Sequence, residues 1–171
     1  MRGSSDEIEA TTPAGAGAEP AAGGLSNDYL NHFSEVLMLI ELAAGDPDAA
    51  ADLADWRPID YPAYFAASQL RRAPAARAAY DALAAERRVA FEALVAAMDR
   101  LATTAIRALR PPCGPQEAAT VAEVTGPALR RLIAQASAFL NSGGVELPEE
   151  ADVEAAQAAI DSLLERASAE A

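Results

Sequence analysis

Alanine supplies about one residue in four of this 171-residue chain and fills most of its apolar positions. No other feature narrows the possible folds as much. Alanine loses no side-chain entropy in a helix and has the best intrinsic helix propensity. The chain is 51% hydrophobic but only 5% aromatic, so the residues that suit a pleated sheet are sparse. The expected fold class is all-α. Alanine-rich helices approach closely but bury little area, so the core needs bulk from elsewhere. The stretch "YLNHFSEVLMLIEL", residues 29–42, holds Tyr29, Leu30, Phe33, Val36, Leu37, Met38, Leu39, Ile40 and Leu42. Each such side chain stabilises the fold by about 1.5–3 kcal/mol when fully buried.

Helix starts and stops divide the rest of the chain. Asn27 or Asp28 can cap a first helix that ends at Gly45. Tyr29, Phe33, Val36, Leu37, Ile40 and Ala44 share its broad core stripe. His32, Leu39 and Leu42 fall on another side, with Glu35 beside them, so this helix is apolar on two faces. Asp46 reads as an N-cap and Pro47 as the first residue of a short second helix. Pro58 turns the chain out of helical geometry near Trp56. Asp60 caps a third short helix running to about Arg72.

From Pro74 to Arg110 no further proline or glycine intervenes, which predicts one helix of about 50 Å at about 1.5 Å per residue. Its seam of Phe91, Leu94, Met98, Leu101, Ala105 and Ala108 alternates steps of three and four. A helix from Pro115 carries Leu129, Leu132, Ile133, Ala136 and Leu140 on one stripe. "TGP" at 125–127 predicts a kink or restart there. The last helix begins near Pro148 and aligns Val153, Ala156, Ile160, Leu163 and Ala167. Four main helices with short connections predict an antiparallel up-and-down bundle, with two short helices inserted after the first. Residues 1–24, rich in Gly, Ala, Pro and acids, are expected to be a disordered tail, and 25–171 a single domain.

Charge removes several classes of function. The net charge is −13, and all 13 basic residues are arginines. Nucleic-acid surfaces need clustered cations, and anionic membranes attract them, so neither partner is expected. Without lysine there is no Schiff-base chemistry and no phosphate-loop lysine. One cysteine, Cys113, excludes an internal disulfide and any multi-cysteine metal site. No segment has the apolar length of a membrane span, and the N-terminal stretch lacks the apolar core of a signal peptide. The expected location is cytoplasmic.

His32 is the only histidine. A phosphotransfer bundle would expose such a residue beside cations that stabilise the phosphoryl charge. Here Glu35 stands where a cation would help, and a half-exposed or capping histidine is the plainer account. Asp28, His32 and Glu35 share a face at spacings of four and three. Carboxylate–histidine bundles repeat Glu-x-x-His on two helices, and this chain has neither that order nor a second histidine. No metal and no cofactor are expected. The nucleophile elbow, dinucleotide fingerprint and phosphate loop are all absent, so a catalytic role is not expected.

"WRPIDYPAYF", residues 56–65, concentrates Trp56, Arg57, Tyr61 and Tyr64 between prolines. These are the usual energetic anchors of protein interfaces, although they suit equally a plug for one end of a bundle. The sequence thus favours a non-enzymatic interaction module with a protein partner or a second copy of itself. Leu39, Leu42, Trp56, Arg57, Tyr61 and Tyr64 are its candidate contact residues. A phosphotransfer bundle using His32 and a small-molecule or metal-binding bundle are the alternatives. The acid runs at 46–60 and 146–154 would suit a basic partner.

Overall fold

The computed structural model describes residues 24–169. The expected disordered tail therefore lies outside the described residues, except for Gly24. Among those residues are seven α-helices and no strand. They are α1 (Asn31–Leu42), α2 (Pro47–Asp55), α3 (Tyr61–Ala67), α4 (Ala73–Asp81), α5 (Ala85–Ala108), α6 (Pro115–Asn141) and α7 (Glu150–Ala169). A 3-10 turn, Asn27–Leu30, leads into α1, and its cap is Ser26, whose hydroxyl accepts from the Asp28 N–H at 3.2 Å. Asp46 and Asp60 cap α2 and α3 as expected, accepting from Asp48 N–H at 2.9 Å and Ala63 N–H at 2.7 Å.

The largest packing surfaces join α5, α6 and α7, and α1 lies against α6. Phe91, early in α5, stacks on Phe139, late in α6, with ring centroids 4.9 Å apart. Gln135 of α6 is hydrogen-bonded to Asp152, early in α7. Thus α6 runs opposite to α5 and α7, as alternation requires. Asn27 meets Asn141, and Glu41 pairs with Arg130, so α1 also runs opposite to α6. Consequently α1 and α5 point the same way, and strict up-and-down alternation fails at the first crossing. Three short helices, not two, make that return.

The extra helix comes from a break in the stretch expected to be continuous. The chain leaves helical geometry at Ala84, with ψ 142°. No proline or glycine is responsible. Tyr80 stacks on Tyr61 at 5.0 Å and donates its hydroxyl to Glu92 at 2.9 Å, while Leu83 packs on the core. These tertiary contacts turn the chain between α4 and α5 and leave α4 packed mainly on α3. The reverse happens at "TGP": α6 passes through Pro127 without interruption. Gly126 lets α1 come close there. A Cβ at that position would stand 3.1 Å from Glu41 Oε1 and 3.3 Å from Arg130 Nη1.

The seam expected on α5 is buried from Phe91 to Ala105, and Leu129, Leu132, Ala136 and Leu140 are buried on α6. Ala156, Ile160 and Leu163 are buried on α7, whereas Ala167 is exposed. On α1 the core stripe holds, but Leu37 is only partly covered. At the end of α6, Gly144 adopts φ +82° and returns its N–H to Phe139 O at 2.8 Å. That left-handed stop brings Leu83 against the turn and suits glycine alone.

Candidate functional site

Two sides of α1 remain once its core stripe is buried. One is covered by α2 and the chain that follows it. Trp56 lies face to face with His32, with ring centroids 4.6 Å apart and planes 19° from parallel, and it donates its indole N–H to His32 O at 3.2 Å. Leu39 is buried beneath this lid. His32, Leu39, Trp56 and Arg57 thus meet in one hollow of about 460 Å³, rimmed by Glu35, Asp52 and Asp55. The Arg57 guanidinium is held by Ala54 O at 2.6 Å and Trp56 O at 2.7 Å, so it forms part of the wall.

The other side of α1 faces solvent. Leu42 is 47% exposed and Met38 is 51% exposed, one helical turn apart. Leu42 also lies one turn beyond Leu39, so the exposed ridge continues from the edge of the hollow. The sequence placed Leu39 and Leu42 on a common second face. Packing separates them into floor and rim.

Tyr61 and Tyr64 are not part of this surface. Tyr61 is 1% exposed; its hydroxyl accepts from Ser26 N–H at 2.8 Å, and burial pushes its phenol up to about 12. The expected binding rim containing Tyr61 is thus replaced by core, because its ring closes the gap between α3, α4 and α5. Tyr64 is partly covered and donates to Asp28 O at 2.9 Å.

The chemistry at His32 is constrained by the same packing. Its Nε2 is buried and has no hydrogen-bond partner among the described residues. Desolvation lowers its pKa, against an opposing pull from Glu35 and the Arg57 backbone. Three carboxylates share its hollow, a setting unfavourable to a phosphoryl dianion. The Asp28–His32–Glu35 grouping does not converge either. Asp28 turns to Ser26 and to Arg72, 3.9 Å away, and no group of three described His, Cys, Asp or Glu side chains could hold a metal ion. Cys113 is partly buried, with its Sγ 3.7 Å from Gly114 O.

A second hollow, of about 360 Å³, lies between α3, α4 and α5. Tyr61, Tyr80 and Phe91 wall it, and Asp60, Glu92 and Asp99 line it. Asp60 caps α3 and Glu92 accepts from Tyr80, but Asp99 Oδ1 is buried with no donor among the described residues. Burial, and then the charge on Asp60, push the Asp99 carboxyl up to about 6. A carboxyl with a raised folded pKa holds its proton better folded than unfolded. Its contribution to stability is therefore fully present at low pH and is lost as pH rises from about 4 through 6. Asp99→Asn should raise Tm near pH 7.5 by about 2–4 °C, on the order of 1 kcal/mol after allowing for partial exposure. The gain should shrink towards zero near pH 4, which thermal melts across that range would show. An equal gain at both ends would remove Asp99 ionisation as the cause.

Sequence reasoning missed Met38 and Asp99. Met38 falls outside both apolar faces of the first helix, a signal that was readable. Asp99 directly follows the core residue Met98, and nothing in its spacing announces burial. Compared with protein-family models, curated proteins and solved structures, the chain matches none. No helix among the described residues is long and apolar enough to cross a membrane.

Proposed function

We propose that this chain is a non-enzymatic protein-interaction module, acting in the cytoplasm as an adaptor or regulator. Its body is a bundle of α1, α5, α6 and α7, and its contact surface is the outer side of α1 with the hollow beside it. The observation that carries this reading is the Met38–Leu42 ridge. Two large apolar side chains stand about half exposed on the helix that otherwise supplies the core's bulk. Other large apolar side chains are as exposed, among them Val89 and Leu164, but this pair continues from the apolar edge of a hollow, and contiguous apolar surface is what marks an interaction site. Leu39 and Trp56 give the hollow an apolar floor, Arg57 part of its wall, and Glu35, Asp52 and Asp55 an acidic rim. The matching partner presents a large apolar side chain flanked by arginine or lysine, and the opposite charges speed and orient docking.

Met38→Asp with Leu42→Asp tests this surface. Both sites are exposed, so the double variant should keep the helical circular dichroism and Tm of the wild type. Sedimentation at several concentrations reports self-association. Affinity capture from the native cell, quantified for both proteins, reports other partners. The expected result is a complex formed by the wild type and lost from the double variant, a weakening of at least about 100-fold from burying two charges. Identical association and capture by the two proteins would reject the ridge as a contact surface.

A further inference from the structure

The opposite end of the α5–α6–α7 unit holds another cavity, of about 450 Å³. It opens where α5 and α7 end and α6 begins. Val121 and Leu163, both buried, line it together with alanines. Arg107 and Arg166 line it from the last turns of α5 and α7, with Gln116 and Thr120 from the first turns of α6.

Arginine at a helix C-terminus complements the dipole, which accounts for each residue alone. It does not account for their convergence. This chain holds 26 acids against 13 arginines, so a guanidinium has many carboxylates to choose from. Arg130 pairs with Glu41 and Arg72 with Asp28, while Arg57, Arg87 and Arg88 bond to backbone carbonyls. The guanidinium groups of Arg107 and Arg166 have no hydrogen bond or ion pair among the described residues, as is true of other exposed arginines such as Arg71 and Arg77, but these two border the same cavity. The acid in the lining, Glu117, accepts from the Gly114 N–H at 3.3 Å. Thr120 donates to Gln116 O at 3.1 Å, and the Gln116 amide has no partner among the described residues.

We infer that this cavity binds a small amphiphilic anion, a carboxylate or phosphate monoester on a short hydrocarbon chain. The two guanidinium groups and the Gln116 amide supply donors for the headgroup, in the fork geometry that suits planar or tetrahedral oxyanions. The positive end of α6 adds to that field. Val121, Leu163 and the alanines receive the hydrocarbon. The volume falls within the roughly 300–1000 Å³ of small-molecule sites, and the lining is mixed, with the exposed Arg107, Gln116 and Arg166 standing beside the buried Val121 and Leu163. A free amphiphile is favoured over a bilayer, because a net charge of −13 opposes approach to an anionic membrane.

The probes are octanoate, octyl phosphate, octan-1-ol and inorganic phosphate, titrated against the full chain by calorimetry. Octanoate and octyl phosphate should bind saturably, while the alcohol and the bare phosphate should bind at least about tenfold more weakly, having lost one half of the interaction. Arg107→Gln with Arg166→Gln should weaken octyl phosphate by about tenfold or more. Arg71→Gln with Arg77→Gln removes the same charge from exposed sites on the far side of the chain and should leave affinity unchanged. Ala167→Trp, at an exposed lining position, should fill the cavity and abolish binding with both arginines intact. Equal loss in the two arginine pairs would reduce the effect to net charge and overturn the site. So would octanol binding as tightly as octyl phosphate, unchanged affinity in Ala167→Trp, or no saturable binding. None of these outcomes bears on the α1 ridge, so the two proposals stand or fall separately.

Discussion

Trp56→Ala should destabilise the chain by about 3–5 kcal/mol, the usual range for truncating a buried large aromatic. Trp56 is only 8% exposed although it lies outside every helix. Its indole covers the His32 ring, and Phe33 is 6.2 Å away. Truncation would open the second face of α1, wet Leu39 and leave α2 attached mainly through Ala49 and Leu53. The cost combines lost transfer energy with the enlarged hollow left beside His32, Phe33 and Leu39. A shift of the urea midpoint without a change of slope would report it. His32 gives a second, local readout. Burial holds its pKa down, so removing its cover should move its NMR titration upward, towards the ordinary value. A loss below about 1 kcal/mol, with the His32 titration unmoved, would show that the lid is not structural.

Phe91→Ala should cost a similar amount and should loosen a different part of the molecule. Phe91 is 1% exposed in the first turns of α5. It lies against Phe139 at 4.9 Å, Tyr61 at 5.9 Å, Tyr80 at 6.2 Å and Tyr29 at 6.4 Å. The ring is therefore the common neighbour of α3, α4, α6 and the turn before α1. Deletion removes about 3–5 kcal/mol of burial and packing, within which each lost ring pair counts for about 0.5–1.5 kcal/mol. Because α3 and α4 pack mainly on each other and reach the body through Tyr61 and Tyr80, their amides should lose hydrogen-exchange protection before those of α6. Phe91→Leu refills part of the volume and should recover roughly half of the loss. Uniform loss of protection across all seven helices would mean that the short helices do not form a separate cooperative unit.

Trp56 and Phe91 also mark how far the sequence could be read. The caps at Asp46 and Asp60, Pro47 as a first helical residue and the seam from Phe91 to Ala105 were all legible. Each depends on bonds or spacings within a few residues, and those are written locally. Alanine richness fixed the all-helical class for the same reason, since propensity acts residue by residue. The covered face of α1 was legible as a problem, because Leu39 and Leu42 lay off the main stripe. Its solution was not, since covering Leu39 and leaving Leu42 in water depends on where α2 comes to rest.

The tertiary structure decided the rest. Ala82, Leu83 and Ala84 carry no helix-breaking signal, yet the chain turns there because Tyr80 finds Tyr61 and Glu92. Pro127 carries a strong one, yet α6 continues, with Gly126 admitting Glu41 alongside. Tyr61 had the composition of an interface anchor and became core. Arg107 and Arg166, on different helices and far apart in sequence, share a cavity only because α5 and α7 run in the same direction with their ends level. Helix existence follows from local free energies of about 1 kcal/mol or less per residue. Which helices meet, and what stands open where they end, follows from the burial of large side chains contributed by distant parts of the chain.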